Sequence, residues 1–284
     1  MPGATAGRPA LSATAKRRLC FVQVDGARIR VSVRGDGPPL LLIMGLGGNL
    51  EMWGPLEEAL NARGLKTIAY DASGTGQSPA RLLPQSMTTL ARQAVRLLDS
   101  LGHPKADVLG ISFGGAVAQE VAISYPPNVR RLVLTSTSCG LGGVPGNLLA
   151  LSELAAPLRP YSPTYLRLAA DAIYGRGGGD RDVVADRRGA LHDQPPSMWG
   201  YLGQLAAAVG WTSLPRLGRI QCPTLVLAGE ADAMVPPVNS RILASRIRDA
   251  RLEVFPEAGH LLLMDQAERC ARTIVPFLDH QPKA

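Results

Sequence analysis

Val108-Leu-Gly-Ile-Ser-Phe-Gly-Gly115 decides how this chain is read. An apolar run, Val108–Ile111, passes through Gly110-x-Ser112-x-Gly114 into an apolar helical pattern, Gly115–Tyr125, which stops ahead of Pro126-Pro127. A strand that turns into a helix through a serine flanked by glycines predicts a nucleophile elbow. The glycines let strand and helix approach closely around a strained turn, and that turn presents the serine hydroxyl. The helix also directs its positive end toward the hydroxyl.

Working outward, the rest of the chain repeats the strand-then-helix theme. Phe21–Gly35 alternates apolar and polar residues around Asp25-Gly26, which predicts a β-hairpin. Continuous apolar runs at Leu40–Met44, Thr67–Tyr70, Val108–Ile111, Leu132–Leu134, Thr224–Ala228 and Leu252–Phe255 each end in a Gly- or Asp-rich turn. Such runs fit strands buried on both faces of a parallel sheet. Helical patterns lie between them at Met52–Ala62, Met87–Leu101 (capped by Ser86 and closed by Gly102), Gly115–Tyr125, Asn239–Ile247 and Gln266–Leu278. The fold class expected is α/β, with helices on both faces of the sheet.

The alternation fails between Gly140 and Pro215, where Leu148–Leu154, Pro163–Ile173 and Ser197–Ala208 read as helices with no buried strand among them. Tyr161, Tyr165, Tyr174, Tyr201, Trp199 and Trp211 fall here, six of the nine Tyr and Trp residues in the chain. An aromatic-rich interruption predicts a lid over the carboxyl edge of the sheet, where open α/β folds bind ligands. The domain plan expected is a basic, disordered tail over 1–20, a core over 21–139 and 216–280, and a helical lid over 140–215.

Composition narrows the function. The net charge of +7 suggests nucleic acid, but Arg8, Lys16, Arg17 and Arg18 supply +4 of it from the tail, and the remaining body is near neutral. A nucleic-acid partner needs a basic stripe on a folded face and is not expected. Cys20, Cys139, Cys222 and Cys270 form no CxxC pair and have no histidine at metal-ligand spacing, so reduced thiols, no metal and a cytoplasmic location are expected. The first 20 residues lack the apolar core of a signal peptide, and no run nears the ~20 apolar residues of a membrane span. Two glycine pairs imitate nucleotide loops, but Leu50 follows Gly45-x-Gly47 and Pro79 follows Gly74-x-Gly76 where a third glycine belongs. No dinucleotide or phosphate cofactor is expected.

A serine hydroxyl needs a base, and the base needs an orienting group. The chain order expected for this architecture is Ser, then acid, then His. After Ser112 the histidines are His192 in the predicted lid, His260 in Pro256-Glu-Ala-Gly-His260 after a strand, and His280 at the C-terminus. His260 is the expected base. Glu230 and Asp232 both follow the Pro223–Ala228 strand, and Asp232, deeper in the turn, is preferred as the acid. Asp71 and Asp25 are read as turn residues. Two backbone N–H groups should stabilise the oxyanion, those of Phe113 and of Leu46, with Gly47 the near alternative.

Taken together, GISFGG (Gly110–Gly115), MGLGGNLEMW (Met44–Trp53), DASGTGQS (Asp71–Ser78), PTLVLAGEADAMVP (Pro223–Pro236) and AGH (Ala258–His260) resemble the α/β-hydrolase superfamily. Within it the chain is similar to the intracellular medium-chain-length poly(3-hydroxyalkanoate) depolymerases from about residue 22 to 279. That similarity includes IYG (Ile173–Gly175) and GWTSL (Gly210–Leu214) of the predicted lid. It implies an α/β-hydrolase fold and hydrolysis of 3-hydroxyacyl esters of an apolar polyester at a cytoplasmic storage granule, with Ser112, Asp232 and His260 as the triad. Phe113, where the resemblance implies tryptophan, and Gly177-Gly178-Gly179 depart from the pattern. Alternatives with the same triad are a small-ester or lipid esterase, an enzyme of polyketide intermediates, an acyltransferase or a perhydrolase. A non-catalytic ligand-binding homologue is a further alternative.

Overall fold

The computed structural model describes residues 16–81, 84–148, 152 and 193–279. Eight strands form one sheet in the order β1-β2-β4-β3-β5-β6-β7-β8. They are β1 (Arg18–Val24), β2 (Ala27–Arg34), β3 (Pro39–Ile43), β4 (Lys66–Tyr70), β5 (Ala106–Ile111), β6 (Val129–Thr135), β7 (Thr224–Gly229) and β8 (Ala250–Phe255). The first two are antiparallel, and β2 runs antiparallel to β4; from β4 to β8 every pairing is parallel. The hairpin turns on Asp25 and Gly26, both at positive φ (48° and 75°), the geometry that a two-residue turn requires. Its ladder begins at Arg18, three residues ahead of the expected boundary at Phe21, and Arg17 beside it pairs with Glu51 at 2.5 Å. Arg18, Leu19 and Cys20 of the expected tail are therefore part of the sheet, and residues 1–15 lie outside the described ones.

The apolar runs serve two cores at once. Leu41, Ile43, Val108, Leu132, Leu134 and Val226 face one side of the sheet, where helices α2 (Met87–Ser100), α3 (Phe113–Ser124) and α5 (Val238–Arg246) pack. Leu40, Leu42, Leu109, Ile111, Val133, Leu225 and Leu227 face the other, against α1 (Gly54–Asn61), α6 (Leu262–Asp265) and α7 (Ala267–Asp279). Side chains alternate across a strand, so a strand covered on both faces must be apolar throughout. The predicted helix Met52–Ala62 is a 3₁₀ turn (Leu50–Trp53) followed by α1, and α3 starts two residues earlier than expected, directly at Phe113. Ser86 caps α2 in a reciprocal capping box with Thr89.

Helix α4 (Met198–Ala208), capped by Ser197, lies in the predicted lid and corresponds to its expected helix Ser197–Ala208. The predicted helix Pro163–Ile173, most of Leu148–Leu154, Tyr161, Tyr165, Tyr174 and His192 lie outside the described residues. Helix α4 crosses the loops that follow β3 and β4. Its backbone at Gly200 meets Gly74 so closely that a Cβ on Gly200 would sit 2.3 Å from the Gly74 carbonyl oxygen, and Ser197 N–H donates to that same oxygen at 2.8 Å.

Between β4 and β5 the order of strands reverses direction around β3, so β3 and β5 are sheet neighbours whose outgoing loops diverge. This is the switch point at which open α/β sheets place their sites. The close fit there depends on Gly114: a Cβ on it would lie 2.1 Å from the Ile43 carbonyl oxygen and 2.5 Å from that of Met44. On helix propensity alone Gly114→Ala should stabilise by up to about 1 kcal/mol. The clash reverses the sign, and urea unfolding of the variant should show a loss of about 1–3 kcal/mol.

Candidate active site

Ser112 sits at φ 55°, ψ −122°, a conformation that side-chain-bearing residues avoid and that typically costs about 1–3 kcal/mol. Its surroundings hold it there. Ser112 N–H donates to the Thr135 carbonyl at 2.9 Å, while its own carbonyl accepts from Gly115 N–H (2.9 Å), Ala116 N–H (3.2 Å) and Thr137 Oγ1 (2.7 Å). The motif glycines are needed sterically as well. A Cβ on Gly110 would stand 2.3 Å from the Gly114 oxygen, and one on Gly115 would stand 2.5 Å from Thr137 Cβ.

His260 and Asp232 lie against each other. The imidazole Nδ1 lies 2.9 Å from Asp232 Oδ2 and 3.1 Å from Oδ1, with both residues buried. A carboxylate against Nδ1 favours the proton on that nitrogen and leaves Nε2 as the basic atom. Asp232 is itself fixed, because its Oδ1 accepts from Met234 N–H (3.0 Å) and Val235 N–H (2.8 Å). Glu230, the other candidate acid, is exposed. The loops after β7 and β8 are joined by Glu230 N–H to the Phe255 carbonyl (3.0 Å) and Ala231 N–H to that of Ala258 (2.9 Å). Gly229 permits this contact, since a Cβ there would lie 2.4 Å from the Ala258 oxygen.

The Ser112 hydroxyl has no hydrogen-bond partner among the described residues. It opens into an apolar cavity of about 260 Å³, whose walls include Leu46, Met87, Phe113, Val144, Leu205, Trp211 and Met234. Met234 and Val235, whose N–H groups hold Asp232, also line it, so Ser112 and Asp232 belong to one end of the sheet. Neither the Leu46 nor the Phe113 N–H has an acceptor among the described residues, whereas Gly47 N–H donates to Gln204 Oε1 at 2.8 Å. Of the two loop amides weighed from the sequence, Leu46 is the unengaged one.

Three supports were not legible in the sequence. Asp71, read as a turn residue, is fully buried; it accepts from Leu50 N–H (2.8 Å) and Gln77 N–H (2.9 Å) and faces Arg30 Nη1 at 3.5 Å. Burial pushes its carboxyl up from the ordinary value, against these donors. Arg30, also buried, reaches Glu51 at 2.7 Å and Gln194 at 2.9 Å, tying the hairpin to the loop after β3 and to residues just before α4. Burial pushes the Glu51 carboxyl up, but Arg17 and Arg30 outweigh it and hold it below the ordinary range. The third support is Glu120 on α3. It accepts from Trp211 Nε1 (2.9 Å) and from both Arg216 terminal nitrogens (3.1 and 2.9 Å), and so pins an aromatic wall of the cavity. Asp25 by contrast occupies the hairpin turn as read.

Burial pushes the Cys222 thiol up to about 11 and the Cys270 thiol up to about 12, and raises Cys139 as well, so these cysteines are protonated at neutral pH. Among the described residues no cluster of His, Cys, Asp or Glu could hold a metal, and no helix is long and apolar enough to cross a membrane.

A parallel sheet with a serine elbow past one strand and a carboxylate–imidazole pair past two others defines a hydrolase-type site. The Alpha/beta hydrolase family model matches residues 40–273, and the chain belongs to that family. It is 40% identical over 263 residues to the poly(3-hydroxyalkanoate) depolymerase of Ectopseudomonas oleovorans, covering 92% of each chain. It is 31% identical to a putative carbamate hydrolase, RutD, of Azorhizobium caulinodans, over 82% of this chain and 88% of that one. A crystal structure of a hydrolase from Pseudomonas aeruginosa superposes with a TM-score of 0.77 at 28% identity, covering 92% of this chain and 98% of the other.

Glu120 gives a test of the wall's support. Burial pushes its carboxyl up, and the hydrogen bonds from Arg216, Trp211 and Ser124 more than offset this, leaving it below its ordinary value of 4.5. A carboxyl lower in the folded than in the unfolded chain contributes stability above the unfolded value and loses it as pH falls through the folded one. Glu120→Gln should therefore lower the melting temperature most at pH 6–7, and the gap from wild type should narrow as pH falls below 4.5. Thermal unfolding followed by circular dichroism across that range reads the difference.

Proposed function

We propose that the chain hydrolyses carboxylic esters through an acyl-enzyme on Ser112. The observation that carries this reading is the buried Asp232–His260 pair at the end of the sheet where the strained Ser112 opens into an apolar cavity. Ser112 Oγ attacks the ester carbonyl while His260 Nε2 takes its proton, and Asp232 stabilises the imidazolium. The carbonyl oxygen, now negative, accepts from the N–H groups of Leu46 and Phe113. Collapse breaks the carbon–oxygen bond to the alcohol, which leaves with the proton from His260. Water, deprotonated by the same nitrogen, then attacks the acyl-enzyme and releases the acid.

The substrate class follows from the cavity wall and from the chain's likeness to the depolymerase. Its apolar lining fits a lipophilic acyl chain, and the reading favours medium-chain 3-hydroxyacyl esters, with a cytoplasmic polyester granule as the source. Residues 140–215 serve as a lid in this reading, α4 being the part that closes on the loops after β3 and β4. Each methylene buried in an apolar site gains roughly 0.8 kcal/mol, about a fourfold gain in kcat/KM, until the cavity is full.

The test is hydrolysis of p-nitrophenyl esters of graded chain length beside a polyhydroxyalkanoate suspension. The wild type should prefer medium chains, and Ser112→Ala should fall to background. Asp232→Asn should lose about three to four orders of magnitude in kcat with its fold unchanged, as expected when an imidazole loses its orienting carboxylate. Wild-type turnover by Ser112→Ala would sink the assignment.

A further inference from the structure

Helix α4 touches the oxyanion loop through one buried polar side chain. Gln204, 2% exposed, projects from the middle of α4, and its Oε1 accepts the Gly47 N–H at 2.8 Å. The contact is built for closeness: Gly47 lies at φ 69°, and a Cβ there would stand 2.8 Å from Tyr201 Cδ2 on the preceding turn of α4. Gln204 also lines a small cleft together with Gly45, Gly48 and Phe113. Leu46 and Gly47 present consecutive N–H groups, and among the described residues only that of Gly47 is engaged. The two amides lie in successive peptide planes joined only by the φ and ψ of Leu46, so holding the Gly47 amide restricts the directions open to the other.

We propose that Gln204 is a positioning residue: by holding Gly47 it keeps the Leu46 N–H aimed at the oxyanion, so that the seating of α4 sets the rate of acyl transfer. This rests on the ester-hydrolase reading above. Helix α4 has anchors independent of Gln204, in the Gly74–Gly200 contact and the bond from Ser197 N–H to the Gly74 carbonyl. Loss of the amide oxygen alone should therefore leave the helix in place. Oxyanion donors act only on charge that develops in the transition state, so misaiming one lowers kcat more than it raises KM.

Gln204→Met keeps the length of the side chain and removes the acceptor. With p-nitrophenyl octanoate, kcat should fall about tenfold or more while KM stays within about twofold. Inhibition by an alkyl trifluoromethyl ketone, which forms an oxyanion on the serine, should weaken by the same factor as kcat/KM. A merely structural role would lower the melting temperature and leave that proportionality absent. A folded Gln204→Met enzyme with wild-type kcat and wild-type ketone affinity overturns the proposal. Absence of wild-type esterase activity, or its survival in Ser112→Ala, would instead strike at the ester-hydrolase reading. If Gln204→Met does not fold, amide hydrogen exchange of ¹⁵N-labelled wild type decides the point. Gly47 should exchange at least about a hundredfold more slowly than an open loop amide, and exchange at the open-loop rate overturns the proposal.

Discussion

The arrangement depends on how closely helix α3 can approach strand β3 behind Ser112. Gly114 has no side chain to hold it away from the Ile43 carbonyl, and Gly110 leaves room for the Gly114 oxygen. That approach forces the chain through a positive φ at Ser112, where four hydrogen bonds to its backbone keep it. The strain is of the order of one or two hydrogen bonds and is spread over a packed sheet, so the turn stays rigid. A rigid turn matters because the hydroxyl and the Phe113 N–H are set by the same few dihedrals. On the proposed reading, one distortion therefore supplies both a presented nucleophile and a donor for the charge that it creates.

The imidazole–carboxylate pair meets a different requirement. His260 and Asp232 are both buried, and a buried carboxylate is costly unless hydrogen bonds satisfy it. Two backbone N–H groups and the imidazole supply those bonds, and the hydrogen-bonded loops after β7 and β8 bring the partners together. Burial also keeps competing water from the Nδ1–carboxylate contact, which strengthens it.

Between these two halves runs a set of buried polar contacts that positions loops rather than reacting groups. Asp71, Arg30, Glu51 and Gln194 connect the hairpin, the loop after β3 and the approach to α4; Glu120 and Arg216 do the same for Trp211. The hairpin is antiparallel and lies near one edge of the sheet, yet through Arg30 it bears on the loop that carries Leu46. Charged groups in such networks are directional, so they fix loop geometry where apolar packing would allow sliding.

The α/β class, the order of strands and helices and the elbow at Ser112 were all legible in the sequence, because periodicity and glycine spacing are local properties of the chain. His260 was chosen as the expected base by chain order, and Asp232 as the expected acid by its depth in a turn. Tertiary structure decided what local pattern cannot carry: that Asp232 touches the imidazole while Glu230 faces solvent, that β1 begins at Arg18, and that Asp71 is a buried acceptor rather than a turn residue. Gln204 and Glu120 gave no signal, since a lone glutamine or glutamate on a helix looks like any solvated side chain until the fold shows what it faces. The physical reason is range. A strand, a cap or a tight turn is fixed by neighbours a few residues away, whereas Gln204 and Gly47 stand 157 residues apart and are joined only when the sheet has already formed.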